Sequence, residues 1–484
     1  MAAQPPASVQ SQSQKAVPHP PLPFDGNGSF SNYVLAALVL TVPLALIRYL
    51  PLFRFGFWTY LFFILLTGIP TTVAYWYYMS RFGASIDDVS KLPGRPQSTY
   101  IVLKDPALRD QYHNKKIPMQ TFHDAYFEGK AEFANDDALA ALEYRHDWAT
   151  FAFTPELFKF VFFQMLPEVV IHSRSQDEEQ VRDHYDRGDD FYEWFLGPRM
   201  IYTSGVSLDP NSDETLEQLQ DNKLSLVCHK LDLQPSDTLL DIGCGWGTLA
   251  AYAGKNFGCD VTGVTLGKNQ TAFGNKRLRD NGVPEGRGRI LCMDAREIAR
   301  EPRGRFTKIV SLEMAEHVGI FKYDTFLRLV YDLLDDNGTF VFQVAGLRPS
   351  WQFEDLVWGL FMNKYIFPGA DASCSLGWVI THLESAGFEV KNVDVIGVHY
   401  SATIWRWYKL WLSNREKVVA KYGERWYRIW VYFLASSTIV ARQGGSSAFQ
   451  ITLKKNLNKV HRIEGISNHT SLFHTPTRKL ESVQ

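Results

Sequence analysis

Apolar positions change their period several times along the chain, and each change marks a different kind of structure. Residues 1–30 have no apolar periodicity and are rich in Gln, Ser, Pro and Gly, which predicts a disordered tail. Two nearly unbroken apolar stretches follow, Tyr33 to Ile47 and Phe55 to Ser80. The second is longer than the about 20 residues that cross a bilayer. The first contains Pro43, but Arg48 can snorkel and Tyr49 to Phe53 can extend it. The pattern predicts two membrane helices over 31–80. It does not suit a signal peptide, because no basic segment adjoins the first stretch and a second apolar segment comes at once.

Residues 81–175 mix polar and helical patterns and read as an accessory, membrane-proximal helical region. It ends in Phe151 to Ile171, whose wide apolar face suits either a membrane surface or a protein core. From Glu178 the texture alternates. Leu216 to Leu231 is an amphipathic helix. Strand patterns fall at Leu239 to Ile242, Asp260 to Leu266, Arg289 to Met293, Lys308 to Leu312, Thr339 to Val344, Phe388 to Val395 and Phe449 to Leu453. This predicts an α/β fold over 176–455, a doubly wound sheet of seven strands, with functional residues just beyond the carboxyl ends of the strands. Residues 456–484 are polar and basic and predict a solvated tail that brushes anionic lipid.

The first of those strands runs into LLDIGCGWGTLA, Leu239 to Ala250. Gly243, Gly245 and Gly247 recur at alternate positions and Thr248 follows, so the spacing is not the G-x-G-x-x-G of a dinucleotide fold. The motif resembles the first motif of class I S-adenosylmethionine-dependent methyltransferases. That resemblance implies S-adenosylmethionine as cofactor, with the backbone at Gly243 and Gly245 against its methionine portion and Asp241 close by. The residues after the second strand, Thr265, Leu266 and Gln270, take the ribose. Gln270 stands in for the usual acid through a neutral hydrogen bond. Asp294 and Ala295, after the third strand, meet the adenine.

Composition narrows the partners. The chain has 484 residues and a net charge of -2 from 50 basic and 52 acidic residues, so no positive field is present to hold nucleic acid. The five cysteines show no paired spacing and no Cys/His ligand pattern, which speaks against a disulfide framework and against a bound metal. Aromatic residues make up 14% of the chain. They crowd into Trp351 to Ala370 and the tryptophans Trp405, Trp407, Trp411, Trp426 and Trp430, a pattern that fits either an acyl channel or ordinary helix packing.

Four blocks carry a closer resemblance: Val181 to Gly205, VTGVTLGKNQ, Ser311 to Gly319 (SLEMAEHVG) and His399 to Trp407. In order and spacing they resemble the cyclopropane fatty acid synthase and mycolic acid methyltransferase family. With its membrane hairpin the chain is most similar to that family's fungal sphingolipid C9-methyltransferase branch. The resemblance implies methyl transfer to the C9 alkene carbon of the Δ8-unsaturated sphingoid base of ceramide or glucosylceramide. It places Tyr202, Thr203 and Ser204 at the cofactor, Glu316 as the active-site glutamate and Tyr400 beside a bound bicarbonate. Two positions depart from the family: Ser204 stands where many members have Cys, and Gln343 where cyclopropane synthases have His. Glutamine accepts and donates hydrogen bonds but cannot share a proton as His does, which puts bicarbonate binding in doubt.

An alkene is a weak nucleophile, and its methylation leaves a carbocation that must lose a proton. Glu316, Tyr400 and nearby aromatic faces suit that task. Proton loss from the new methyl closes a cyclopropane, whereas hydride shift and loss from a chain carbon leaves a methyl-branched alkene, an outcome that the loss of the His favours. A membrane-bound cyclopropane fatty-acyl-phospholipid synthase, a sterol or phospholipid-amine methyltransferase and a non-catalytic lipid-binding protein remain alternatives. Because S-adenosylmethionine is made in the cytosol, the expectation is a multi-pass protein of the endoplasmic reticulum membrane with a cytosolic catalytic domain.

Overall fold

The computed structural model describes residues 31–50, 54–82, 94–165, 188–209, 212–298, 305–349, 352–370, 372–458 and 480–483. The N-terminal tail, residues 166–171 of the apolar segment, residues 181–187 of the first family block, Trp351 and most of the C-terminal tail lie outside them. The chain divides into two compact units, one of residues 16–170 and 349–364, the other of residues 1–15, 171–348 and 365–484.

The first unit begins with helices α1 (Asn32–Tyr49) and α2 (Phe57–Phe82), both long and apolar enough to cross a membrane. Their 18 and 26 residues rise about 27 and 39 Å, on either side of the about 30 Å hydrocarbon core. They pair as a hairpin: the Tyr60 hydroxyl donates to Leu40 O at 2.9 Å and that of Tyr75 to Ser31 O at 3.2 Å. Leu40, Leu44, Trp58, Phe62, Leu65, Leu66 and Ile69 are left exposed, a surface no aqueous protein gains from. The far end of α2 is anchored to the rest of the unit. Trp76 packs on Phe153 and Phe353 with ring centroids 5.5 and 6.0 Å apart, and Ser80 Oγ accepts from Phe153 N at 3.1 Å.

Around these, α3 (Met119–Phe127) buries Phe122 against Trp148, with ring centroids 4.7 Å apart. The inserted helix Phe353–Phe361 is held by Glu354, which pairs with Arg145 and with His146 at 2.9 Å. Burial alone would raise the Glu354 carboxyl, but those two neighbours hold it well below the usual range. The apolar segment after Phe151 is a Thr154-capped helix, Pro155–Phe160, with Leu157 and Phe160 turned inward and Phe163 78% exposed.

The second unit is built on a seven-stranded sheet. Its strands are β1 (Thr238–Ile242), β2 (Asp260–Thr265), β3 (Gly288–Cys292), β4 (Phe306–Leu312), β5 (Leu334–Leu347), β6 (Phe388–Val395) and β7 (Ser446–Lys455), in the order β3-β2-β1-β4-β5-β7-β6. The first five run parallel, and β7 is antiparallel to both its neighbours. All seven expected strands are present. β5 is much longer than its apolar run because it pairs along its length with β4 and β7. Its helices include α4 (Asp189–Leu196), α5 (Leu216–Leu231), α6 (Thr248–Phe257), α7 (Lys268–Asp280), α8 (Tyr323–Leu333), α9 (Leu376–Ser385), α10 (Gly397–Ser413) and α11 (Glu424–Arg442). A reciprocal capping box starts α5: Thr215 Oγ1 accepts from Gln218 N, and Gln218 Oε1 from Thr215 N.

Strand residues alternate between two cores. Leu240, Ile309, Phe340 and Phe342 join Leu327 and Val330 of α8 and Leu383 of α9. Their neighbours Leu239, Val310 and Val341 join Leu224 and Val227 of α5 and Ala250 of α6. Strands apolar on both faces are what a parallel sheet covered on both sides requires, each large side chain contributing about 1.5–3 kcal/mol on burial. Trp407, Trp411 and Trp430 are buried around Phe195, with centroids 5.9, 6.0 and 6.3 Å away. For these three, helix packing accounts for the aromatic residues. The expectation of a solvated C-terminus is corrected at residues 480–483. Val483 is fully buried in the α5–α6 core, and Glu481 exchanges backbone hydrogen bonds of 2.8 and 2.9 Å with the Asn256 side chain.

Candidate active site

Where the strand order reverses, between β1 and β4, the doubly wound sheet opens a cleft at its carboxyl edge. The glycine turn forms its floor. Gly243, Gly245 and Gly247 have φ of +79°, +53° and +73°, a region costly for any residue with a Cβ. A Cβ on Gly243 would stand 2.5 Å from Met314 Cγ, and one on Gly247 2.9 Å from Gly274 Cα. A Cβ on Gly245 would meet nothing within 4 Å. Two of the glycines therefore permit close packing, and the middle one leaves the backbone open to a ligand at the start of α6.

A cavity of about 250 Å³ lies above this turn. Tyr202, Thr203, Asp241, Gly243, Gly245, Thr265, Leu266, Gln270, Asp294 and Ala295 all line it. The expected cofactor residues thus converge from four places in the chain, with one exception. Ser204 does not reach the cavity: its hydroxyl donates to Gly205 O at 2.8 Å, and its contribution is a backbone N–H. Gln270 Oε1 is engaged by the Thr265 hydroxyl at 2.6 Å, and the Asp294 carboxylate caps the next turn, accepting from Arg296 N at 2.7 Å.

Lys223 and Glu313 also line the cavity and were not among the expected residues. Lys223, on α5, is 1% exposed and donates to Thr203 Oγ1 at 3.0 Å. Burial pushes its ammonium down to about 8 against the pull of Glu313 and Asp241. Glu313 follows β4 directly. Its Oε1 accepts from Ser204 N at 3.1 Å and Gln343 Nε2 at 2.5 Å, and its Oε2 from the Tyr400 hydroxyl at 2.8 Å. Gln343 is oriented in turn by Gln450 Nε2, which donates to its Oε1 at 2.8 Å. Gln343 and Tyr400 are therefore brought together around Glu313.

Glu316 stands behind, outside the cavity lining. Its Oε1 accepts from Ala345 N at 2.5 Å, and its Oε2 has no hydrogen-bond partner among the described residues. Burial and then the neighbouring Glu313 raise its carboxyl to about 8. Burial likewise raises Asp241 to about 7, with Lys223 opposing. Two carboxyl groups of the cavity, Asp241 and Glu313, act on one buried ammonium, that of Lys223, with Glu316 behind Glu313. Such an excess is costly unless protons or a positively charged ligand balance it, so the site is suited to bind a cation and to stabilise one forming in it.

Comparison to known proteins shows the family. The family model for mycolic acid cyclopropane synthetase matches residues 172–451. The chain belongs to this family. Among its relatives in the mycolic acid cyclopropane synthetase family, sphingolipid C9-methyltransferase A of Emericella nidulans is 56% identical over 96% of this chain and 89% of its own length. The sphingolipid C9-methyltransferase of Komagataella phaffii is 54% identical over 97% of both chains. The crystal structure of a mycolic acid cyclopropane synthase complexed with SAH and CTAB superposes with a TM-score of 0.53, covering 57% of this chain and 98% of that one at 28% identity. This family member is an S-adenosylmethionine-dependent methyltransferase.

Proposed function

We propose that this protein methylates C9 of the Δ8-unsaturated sphingoid base of ceramide or glucosylceramide from the membrane surface. The observation that carries this reading is one cavity lined by both the glycine turn and the hydrogen-bonded Glu313 carboxylate. Supporting it, the similarity to the C9-methyltransferases extends over 96–97% of this chain and so includes the apolar hairpin as well as the catalytic fold.

When bound, S-adenosylmethionine supplies an electrophilic methyl on a positively charged sulfur. The backbone at Gly243 and Gly245, with Tyr202, Thr203 and Asp241, would hold the methionine end. Thr265, Leu266 and Gln270 would hold the ribose, and Asp294 and Ala295 the adenine. The protein's task is to hold the alkene in line with the methyl and exclude water, since positioning supplies much of the rate for so weak a nucleophile. The carboxylate-rich wall stabilises the positive charge left on the chain. The apolar hairpin anchors the enzyme in the membrane that holds its substrate, in our reading the endoplasmic reticulum with the catalytic unit cytosolic.

The test is turnover by purified full-length protein in vesicles containing Δ8-unsaturated ceramide or glucosylceramide, with isotopically labelled S-adenosylmethionine and lipid mass spectrometry. The expected product carries one labelled methyl at C9 and keeps its double bond. A cyclopropane product, or transfer only to a sterol or an amine headgroup, would overturn the reading.

A further inference from the structure

Glu313 occupies a position that its backbone does not favour. Its φ is +54°, a conformation that costs a residue with a Cβ about 1–3 kcal/mol. Its own N–H is fixed to Gln343 O at 2.7 Å. The gain from this geometry is a carboxylate that lines the cavity and collects three donors from distant parts of the chain, Ser204 N–H, Gln343 Nε2 and the Tyr400 hydroxyl. Burial raises the Glu313 carboxyl, but the three donors aimed at it oppose that and favour its ionised form. Glu316 has one backbone donor and a like-charged neighbour. Of the two coupled groups, Glu313 therefore keeps the negative charge and Glu316 the proton.

A bicarbonate ion bound beside Tyr400 would need the donors that Glu313 already holds, so the residues do not fit that group. We propose that Glu313 is the general base of the reaction, and that its carboxylate takes the place a bound bicarbonate would fill, making turnover independent of that anion. The inference rests on the C9-methylation reading and deepens it. The alkene π pair forms the new bond to the methyl carbon, and the C–S pair stays on sulfur, leaving positive charge at C8. The C9–H pair then becomes the C8–C9 double bond, and the proton passes to the Glu313 carboxylate. A base that takes the C9 hydrogen rather than one from the new methyl leaves a methyl-branched alkene and no ring. Gln343 and Tyr400 are positioning residues for this base, and Gln450 positions Gln343.

Three measurements on full-length protein in vesicles test this. Glu313→Gln should lose at least about 10²-fold in kcat while SAH binds within twofold of wild type by calorimetry. Glu313→Ala uncovers the three donors, and added formate or bicarbonate should restore turnover in a concentration-dependent way. Wild type, which needs no variant to fold, should turn over equally in CO2-depleted buffer and with added bicarbonate. A wild type that requires bicarbonate would overturn the proposal, as would Glu313→Gln with near-normal kcat, or a folded, SAH-binding Glu313→Ala that no anion rescues. If wild type forms no C9-methyl product, it is the sphingolipid reading that fails; if it does and Glu313 proves dispensable, only this inference fails.

Discussion

Glu313 and Glu316 are three positions apart; burial raises both carboxyls, but three donors oppose the rise at Glu313 while a like-charged neighbour adds to it at Glu316. The raised carboxyl of Glu316 has a consequence for stability. Its value in the unfolded chain is the ordinary 4.5, and in the folded protein it is about 8. The folded state thus prefers the protonated form. The stability this contributes is fully present below about pH 4.5 and is lost as pH rises through about 8, each tenfold change in acidity being worth about 1.4 kcal/mol. Asp241, raised from 3.8 to about 7, loses its share of stability as pH rises through that value. Glu316→Gln, which cannot ionise, should raise the melting temperature at pH 8.5 by about 5 °C and change it little at pH 5. Calorimetric scans of wild type and variant at both pH values would check the sign. At this scale, the glycines and the residues after β1 to β3 were legible because strand ends declare themselves locally. Glu313 was not singled out, although it is the first residue after β4. What distinguishes it is a set of partners at 204, 343 and 400, and no local pattern displays those.

Among the elements, the strands were the most legible part of the chain. Their apolar runs are bounded by turns and buried on both faces, so existence and approximate position follow from period and length. Direction did not follow. FQITL in β7 reads the same whether it runs parallel or antiparallel, yet only the antiparallel register brings Gln450 opposite Gln343. The hairpin was legible for the opposite reason: α1 and α2 have almost nothing polar to place. If both helices cross, the two ends of the protein share one side of the membrane. Protease added to sealed microsomes should then degrade the C-terminal unit while leaving α1 and α2 protected, and full protection of the C-terminal unit would reverse the orientation. The inserted helix Phe353–Phe361 shows what periodicity omits. Its apolar face resembled a channel lining, but Glu354 fastens it to Arg145 and His146 more than two hundred positions earlier, in its own unit.

For the whole molecule, the sequence carries the class of fold and the division between apolar hairpin and catalytic sheet, but not the closing contacts. The end of the chain is the clearest case. A polar, basic tail gave no reason to expect a docking site, because Leu480 and Val483 are too few to form a periodic pattern. They nevertheless settle against α5 and α6, with Lys255 Nζ donating to Ser482 O at 3.1 Å. Val483→Asp would put a charge into a fully buried position and should destabilise the catalytic unit by about 2 kcal/mol or more, read as a lower denaturation midpoint in urea.

An amide side chain has a direction, and the pair across β5 and β7 fixes one. Because Gln450 gives its N–H to the Gln343 oxygen, Gln343 must turn its own NH2 toward Glu313. A fully buried residue outside the cavity lining thus decides the sign of the dipole the reacting carboxylate meets. A carboxylate at position 450 would draw that NH2 to itself and swing the amide round, presenting oxygen to oxygen. The polarity of the site is written one strand away from where it acts.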